Sequence, residues 1–129
     1  RFIGPLEDYE STNDDSLVIH LEYGDTSFLF TGDMSQTAEH ALIDDGAKLR
    51  CDVLKVGHHG SYSSSCYQFL REVNPSIAVI SCGEGNSYGH PHDAAVKRLN
   101  DVGATIYRTD LEGSIVIFSD GMKVERKAA

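Results

Sequence analysis

Three short apolar runs, each followed by a glycine-bearing polar loop and then by a segment of helical period, constrain this chain more than any other feature. Phe28-Leu29-Phe30 leads through Gly32-Asp33 to Ser35, a suitable N-cap, with Ala38, Ala41 and Leu42 at helical spacing and Gly46 placed to end the helix. The unit repeats with Val53-Leu54-Lys55-Val56 as a strand, residues 57–65 as a loop and residues 67–73 as a helix stopped by Pro75. A third round has Ile77-Ala78-Val79-Ile80 as a strand, residues 83–91 as a loop and residues 93–102 as a helix ended by Gly103. Such alternation predicts an α/β layer whose loops gather on one edge.

The flanks fit around that layer. Residues 1–15 mix Gly4 and Pro5 with an acidic stretch and are expected to be an irregular lead-in with little core of its own. Leu17, Ile19, Leu21 and Tyr23 alternate with Val18, His20 and Glu22, then Gly24-Asp25 turns into residues 27–31, which predicts a β-hairpin. Its second arm, Phe28-Leu29-Phe30, does not alternate, so a strand covered on both faces is expected. The tail, residues 105–107, 114–118 and 122–125, reads as further strands joined by turns.

At 129 residues, with 40% hydrophobic and 24% charged content, residues 1–129 have the size of one domain. No run reaches the roughly 18 apolar residues of a membrane span, and no signal-peptide pattern occurs. The first residue is Arg1 and not Met, so that absence says nothing about what precedes it. A net charge of -9 weighs against strong non-specific binding of nucleic acid, although a bound divalent ion reverses the field locally. Cys51, Cys66 and Cys82 are odd in number and too far apart for a zinc ribbon, so they are expected to be small buried side chains.

Open α/β sheets place their chemistry just past the strand ends. Asp33 stands after the first apolar run, where it can serve as a helix cap or as a metal ligand. Gly57-His58-His59-Gly60-Ser61 puts two imidazoles after the second. On an extended segment neighbours point opposite ways, so one ring is expected to ligate and the other to contact substrate or orient a neighbour. In the third loop His90 precedes Pro91 and can donate to an oxyanion or act as a general acid. Asp33 and the histidine pair suit Zn²⁺ or Mn²⁺, but a hydrolytic centre needs at least about three protein ligands per ion, and neither HxHxDH nor HExxH occurs.

Five runs then acquire a common meaning: Asn13-Asp14-Asp15-Ser16-Leu17-Val18, Phe28-Leu29-Phe30-Thr31-Gly32-Asp33, Asp52-Val53-Leu54-Lys55-Val56-Gly57-His58-His59-Gly60-Ser61, Asn86-Ser87-Tyr88-Gly89-His90-Pro91 and Tyr107-Arg108-Thr109-Asp110. In this order they resemble the metallo-β-lactamase-like domain of ComEC-type competence proteins and its free-standing relatives, from about Asn13 to Gly121. The resemblance implies an αββα sandwich with one or two metal ions, Zn²⁺ or Mn²⁺, and a hydroxide that attacks a phosphodiester or another ester. It implies that Asp33 bridges the metals and that one of His58 and His59 completes the second. His59 is favoured because its separation from Asp33 resembles that in related phosphorylcholine esterases, which leaves His58 as a catalytic group. His90, in the family's GHP motif, would be catalytic and near substrate, with Ser61 and Asn86 as substrate contacts.

The HxHxDH or HxDxDH half of the family's site is not among these residues. The chain is therefore expected to be the C-terminal half of such a domain, inactive and with as little as no metal when alone, and partnered by the missing N-terminal half. The larger protein is expected to be membrane-associated or extracytoplasmic and to cleave phosphodiesters, single-stranded DNA among them, during competence-type uptake. A non-catalytic α/β binding or assembly module, or a hydrolase of another ester such as surface phosphorylcholine, are the competing readings. A half-sandwich leaves a sheet face bare, so self-association is expected.

Overall fold

The computed structural model describes residues 1–129. Six strands form one sheet in the order of the chain: β1 (Phe2–Gly4), β2 (Val18–Tyr23), β3 (Thr26–Phe30), β4 (Val53–Lys55), β5 (Ile77–Ile80) and β6 (Thr105–Arg108). The first three pair antiparallel, and β3 to β6 are parallel. Between the parallel strands run α1 (Gln36–Asp44), α2 (Tyr67–Val73) and α3 (Asp93–Asp101). A strand order that advances without reversal, joined by crossovers of one hand, keeps all three helices on the same face. The α/β fold expected from the alternation is the fold observed.

The core lies between that face and the helices. Val18, Leu29, Leu54, Val56, Ala78 and Ile80 meet Leu42 of α1, Phe69, Leu70 and Val73 of α2, and Leu99 of α3. Each large side chain buried there contributes about 1.5–3 kcal/mol. Local signals end the helices where the sequence placed them. The Ser35 hydroxyl accepts the Thr37 N–H at 3.2 Å, and Asn74 takes the left-handed conformation (φ 44°) that lets Pro75 follow α2. The three cysteines are free, two of them buried, and burial beside Asp52 pushes the Cys51 thiol up to about 12. No helix is long and apolar enough to cross a membrane.

Three expectations need correction. Residues 1–15 are not merely a lead-in, because β1 pairs with β2 and both Gly4 and Asp14 are buried. A short helix, α4 (Thr109–Glu112), follows β6 where none was expected. The tail strands expected after β6 are present as β7 (Val116–Ser119) and β8 (Val124–Lys127), which form a hairpin of their own. Finally, Phe28-Leu29-Phe30 is not covered on both faces. Leu29 is fully buried under the helices, Phe28 is half-buried, and Phe30 is exposed on the opposite face. There Ile115 and Ile117 wall an apolar groove of about 230 Å³ with Phe28, Phe30, Val53 and Val79, and Leu17, Leu21 and Tyr23 lie open.

Candidate metal centre

Because β3, β4 and β5 are parallel, the loops that leave their C-terminal ends share one edge. The first is Thr31-Gly32-Asp33. Gly32 has φ 57°, and a Cβ there would lie 2.7 Å from the Cβ of Ser16, so only glycine admits this approach. The Ser16 hydroxyl accepts the Asp33 N–H at 3.0 Å. Two residues earlier, buried Asp14 accepts both the N–H (2.6 Å) and the hydroxyl (3.0 Å) of Ser35, the cap of α1. The acidic lead-in thus fixes the backbone on both sides of the Asp33 carboxylate.

The second loop is a tight turn, Gly57–Gly60, and it departs from the expectation of extended backbone. His58 (φ 48°, ψ 43°) and His59 (φ 56°, ψ 24°) are both left-handed, a conformation that costs non-glycine residues of order 1–3 kcal/mol each and persists where surrounding contacts enforce it. The two rings do not point to opposite sides. Their centroids are 6.5 Å apart, and both border one cavity of about 200 Å³ with Asp33, Tyr88 and His90.

Two braces hold the residues after this turn. Glu39, on the inner side of α1 and 1% exposed, accepts the N–H groups of Ser65 and Cys66 with its two oxygens. From α3, Arg98 donates to the carbonyls of Tyr62, Ser64 and Ser65 at 2.8–2.9 Å. Burial raises the Glu39 carboxyl above its ordinary range, against the pull of the two N–H groups and Arg98. Gly60 (φ 81°) abuts Pro91, whose Cβ would be 2.6 Å from an added Cβ. The third loop therefore rests directly on the second.

In that third loop Asn86 spends its amide on the carbonyls of Gly83 and His90 and on the His90 N–H, which shapes the turn before His90. His92 accepts the Tyr62 N–H on Nδ1 (3.0 Å) and donates from Nε2 to the Tyr88 carbonyl (3.2 Å), tying the two loops together. At the end of β5, Thr109 accepts the Cys82 N–H and donates to its carbonyl, anchoring the loop's start. His90 stacks on His59 at 6.2 Å and 18°, and lies 5.7 Å from His58. Burial, then the neighbouring imidazoles of His92, His58 and His59, lower its pKa, with Asp33 opposing.

The site thus gathers Asp33, His58, His59 and His90. Ser61 is buried, its hydroxyl bonded to that of Ser63 at 2.9 Å, and is not among the residues bordering the cavity with Asp33. Asn86 borders an adjoining hollow with His59 and His90, but its polar atoms are engaged within its own loop. Sequence reasoning did not single out Asp14 and Ser16 as braces, nor Tyr88 and His92 as neighbours of the site. Asp14, Ser16 and Tyr88 carried no signal beyond membership in the quoted motifs, and His92 lies one residue past the last of the Asn86–Pro91 run.

His59 carries the test of whether a cation fits. Its Nδ1 lies 2.7 Å from the Ser81 carbonyl and must donate the proton there, which leaves the Nε2 lone pair of the neutral ring facing Asp33 Oδ1 at 3.6 Å. Two acceptors facing one another repel unless a proton or cation lies between them. The gap suits two donors each about 2.0–2.2 Å from one ion. A ring held by a backbone carbonyl through its other nitrogen is the usual support of a metal-ligating histidine. Nδ1 of His58 is buried without a hydrogen-bond partner, a second polar group awaiting one. The residues fit an ion as two of its ligands; no group of three or more His, Cys, Asp or Glu side chains converges anywhere in the chain.

Residues 2–84 match the metallo-beta-lactamase superfamily, and the chain belongs to it. Within that superfamily its similarity runs to competence proteins, as the motifs led one to expect. It is 38% identical over 108 residues to ComE operon protein 3 of Bacillus subtilis, covering 84% of this chain and 14% of that protein. It is 38% identical over 117 residues to Competence protein ComA of Neisseria gonorrhoeae, covering 88% and 17%. With Recombination protein 2 of Haemophilus influenzae the identity is 33% over 116 residues, covering 88% and 14%. The chain therefore spans only 14–17% of the length of these relatives.

Proposed function

We propose that this chain is the ligand-bearing C-terminal part of a metal-dependent phosphodiesterase that serves DNA uptake. The reading rests on one observation: His59 Nε2, freed by the Ser81 carbonyl, faces Asp33 Oδ1 across 3.6 Å. Asp33 and His59 would hold Zn²⁺ or Mn²⁺, and ligands from outside these loops would complete the coordination. When bound, such an ion supplies Lewis acidity toward a phosphoryl oxygen and acidifies water for attack. His58 and His90 line the same cavity and would contact the substrate's phosphoryl oxygens, His90 as an N–H donor. The likeness to ComE operon protein 3 and Competence protein ComA supports a role in competence, and DNA as the polymer cleaved is part of the proposal.

Metal affinity tests the reading. Equilibrium dialysis against Mn²⁺ and Zn²⁺, read by elemental analysis, should give saturable binding that Asp33→Ala and His59→Ala each weaken about tenfold or more. Equal affinity in the parent and Asp33→Ala would refute it. A second reading, a non-catalytic binding or assembly module, is favoured by the lack of a third converging ligand. It requires less than about 0.2 metal per chain at saturation.

A further inference from the structure

The outer rim of the site is aromatic and open. Tyr88 is 77% exposed, yet its ring is stacked nearly parallel to that of His90, at 5.6 Å and 17°. His90 in turn stacks on His59 at 18°, so three rings form a ladder that starts beside Asp33 and ends in solvent. The free face of Tyr88 is the last rung. Its backbone is fixed by the His92 bond to its carbonyl and by the Asn86-braced turn, so the ring is presented at little conformational cost. Across the site, Tyr62 is 63% exposed and packs on His92 at 5.1 Å. Two large aromatic side chains in water beside a cation-binding pair contribute nothing to the core.

A flat π-ligand would continue the ladder. Net charge also matters here: at -9 the field of the chain opposes a polyanion everywhere except beside an ion held at Asp33 and His59, so a contact indifferent to charge is needed to add affinity beyond that ion. Stacking of a base on an aromatic ring is such a contact, and it is available only where the base is not already stacked and paired within a duplex.

We propose that Tyr88 is a specificity-determining residue that stacks an unpaired nucleobase adjoining the phosphodiester at the Asp33–His59 pair, with Tyr62 as a second, weaker platform. This rests on the phosphodiesterase reading above. Because Tyr88 is exposed, its replacement leaves the core untouched.

Fluorescence anisotropy of the full chain at low salt with Mn²⁺ tests it, using an oligothymidylate and an abasic sugar-phosphate oligomer of the same length and charge. The parent should bind the thymidylate about tenfold more tightly than the abasic strand. Tyr88→Ala should bring that ratio close to one without changing abasic binding, Tyr88→Phe should keep it, and Asp33→Ala should weaken both strands alike. Equal affinity of the parent for the two strands, or an unchanged ratio in Tyr88→Ala, overturns the stacking role and leaves the phosphodiesterase reading standing. Binding of neither strand overturns both.

Discussion

Removing the Glu39 side chain should cost this fold more than any other single polar truncation near the site. In Glu39→Ala the N–H groups of Ser65 and Cys66 lose their acceptors in a region where Ser65 is 1% and Cys66 5% exposed. Each orphaned buried donor costs about 1–3 kcal/mol. Part is returned, since burial raises the carboxyl's pKa and so already penalises its ionised form. A net loss of about 3 kcal/mol is expected, or roughly 10 °C in Tm for a chain of this size. Glu39→Gln keeps one carbonyl acceptor and should lose about half as much. The pH dependence fixes the sign. The folded pKa is raised, so the stability this group contributes is fully present below the unfolded value near 4.5 and is lost as pH rises through the folded value. The stability gap between the parent and Glu39→Gln should therefore narrow as pH rises from about 4 to 8. Urea unfolding followed by circular dichroism across that range checks it. A gap that widens with pH, or Glu39→Ala within about 0.5 kcal/mol of the parent, would refute the reasoning.

Other consequences are separately measurable. Ser16→Ala leaves the Asp33 N–H unaccepted and should cost about 1 kcal/mol in thermal unfolding, with about tenfold weaker Mn²⁺ binding in dialysis. Gly60→Ala forces a side chain into φ 81° and against Pro91, and should lower stability by about 2 kcal/mol, whereas Gly46→Ala, with nothing within 4 Å, loses only the left-handed allowance. The bare apolar face with Phe30, Leu21 and Tyr23 should make the chain associate at micromolar concentration; sedimentation should show a dimer or larger, and Phe30→Glu should shift it toward monomer.

Much of the architecture was legible because its signals are local. Apolar runs of strand length, helical spacing after them, Ser35 as a cap and Pro75 as a stop each act within a few residues, and the strands and helices of the parallel layer formed where those signals put them. The site was legible as a set of strand-end residues, since parallel strands bring Asp33, His58, His59 and His90 to one edge whatever the details. Other parts were not. The left-handed turn at His58 and His59 lies in the segment whose Gly60 abuts Pro91, and no local propensity announces it. Asp14 and Ser16 read as part of an irregular acidic segment until β1 and β2 carried them beside the Asp33 loop.

The amino-acid sequence alone determined the order of strands and helices, the loops that carry polar chemistry and the kinship of its motifs, because periodicity, capping and turn residues act over a few positions. Only the tertiary structure decided that His59 turns its free nitrogen to Asp33 and that Tyr88 caps the ring ladder. Those relations depend on His59 meeting Ser81, Asp33 and His90, each more than twenty positions away along the chain, and distances between such residues exist only once the sheet has closed.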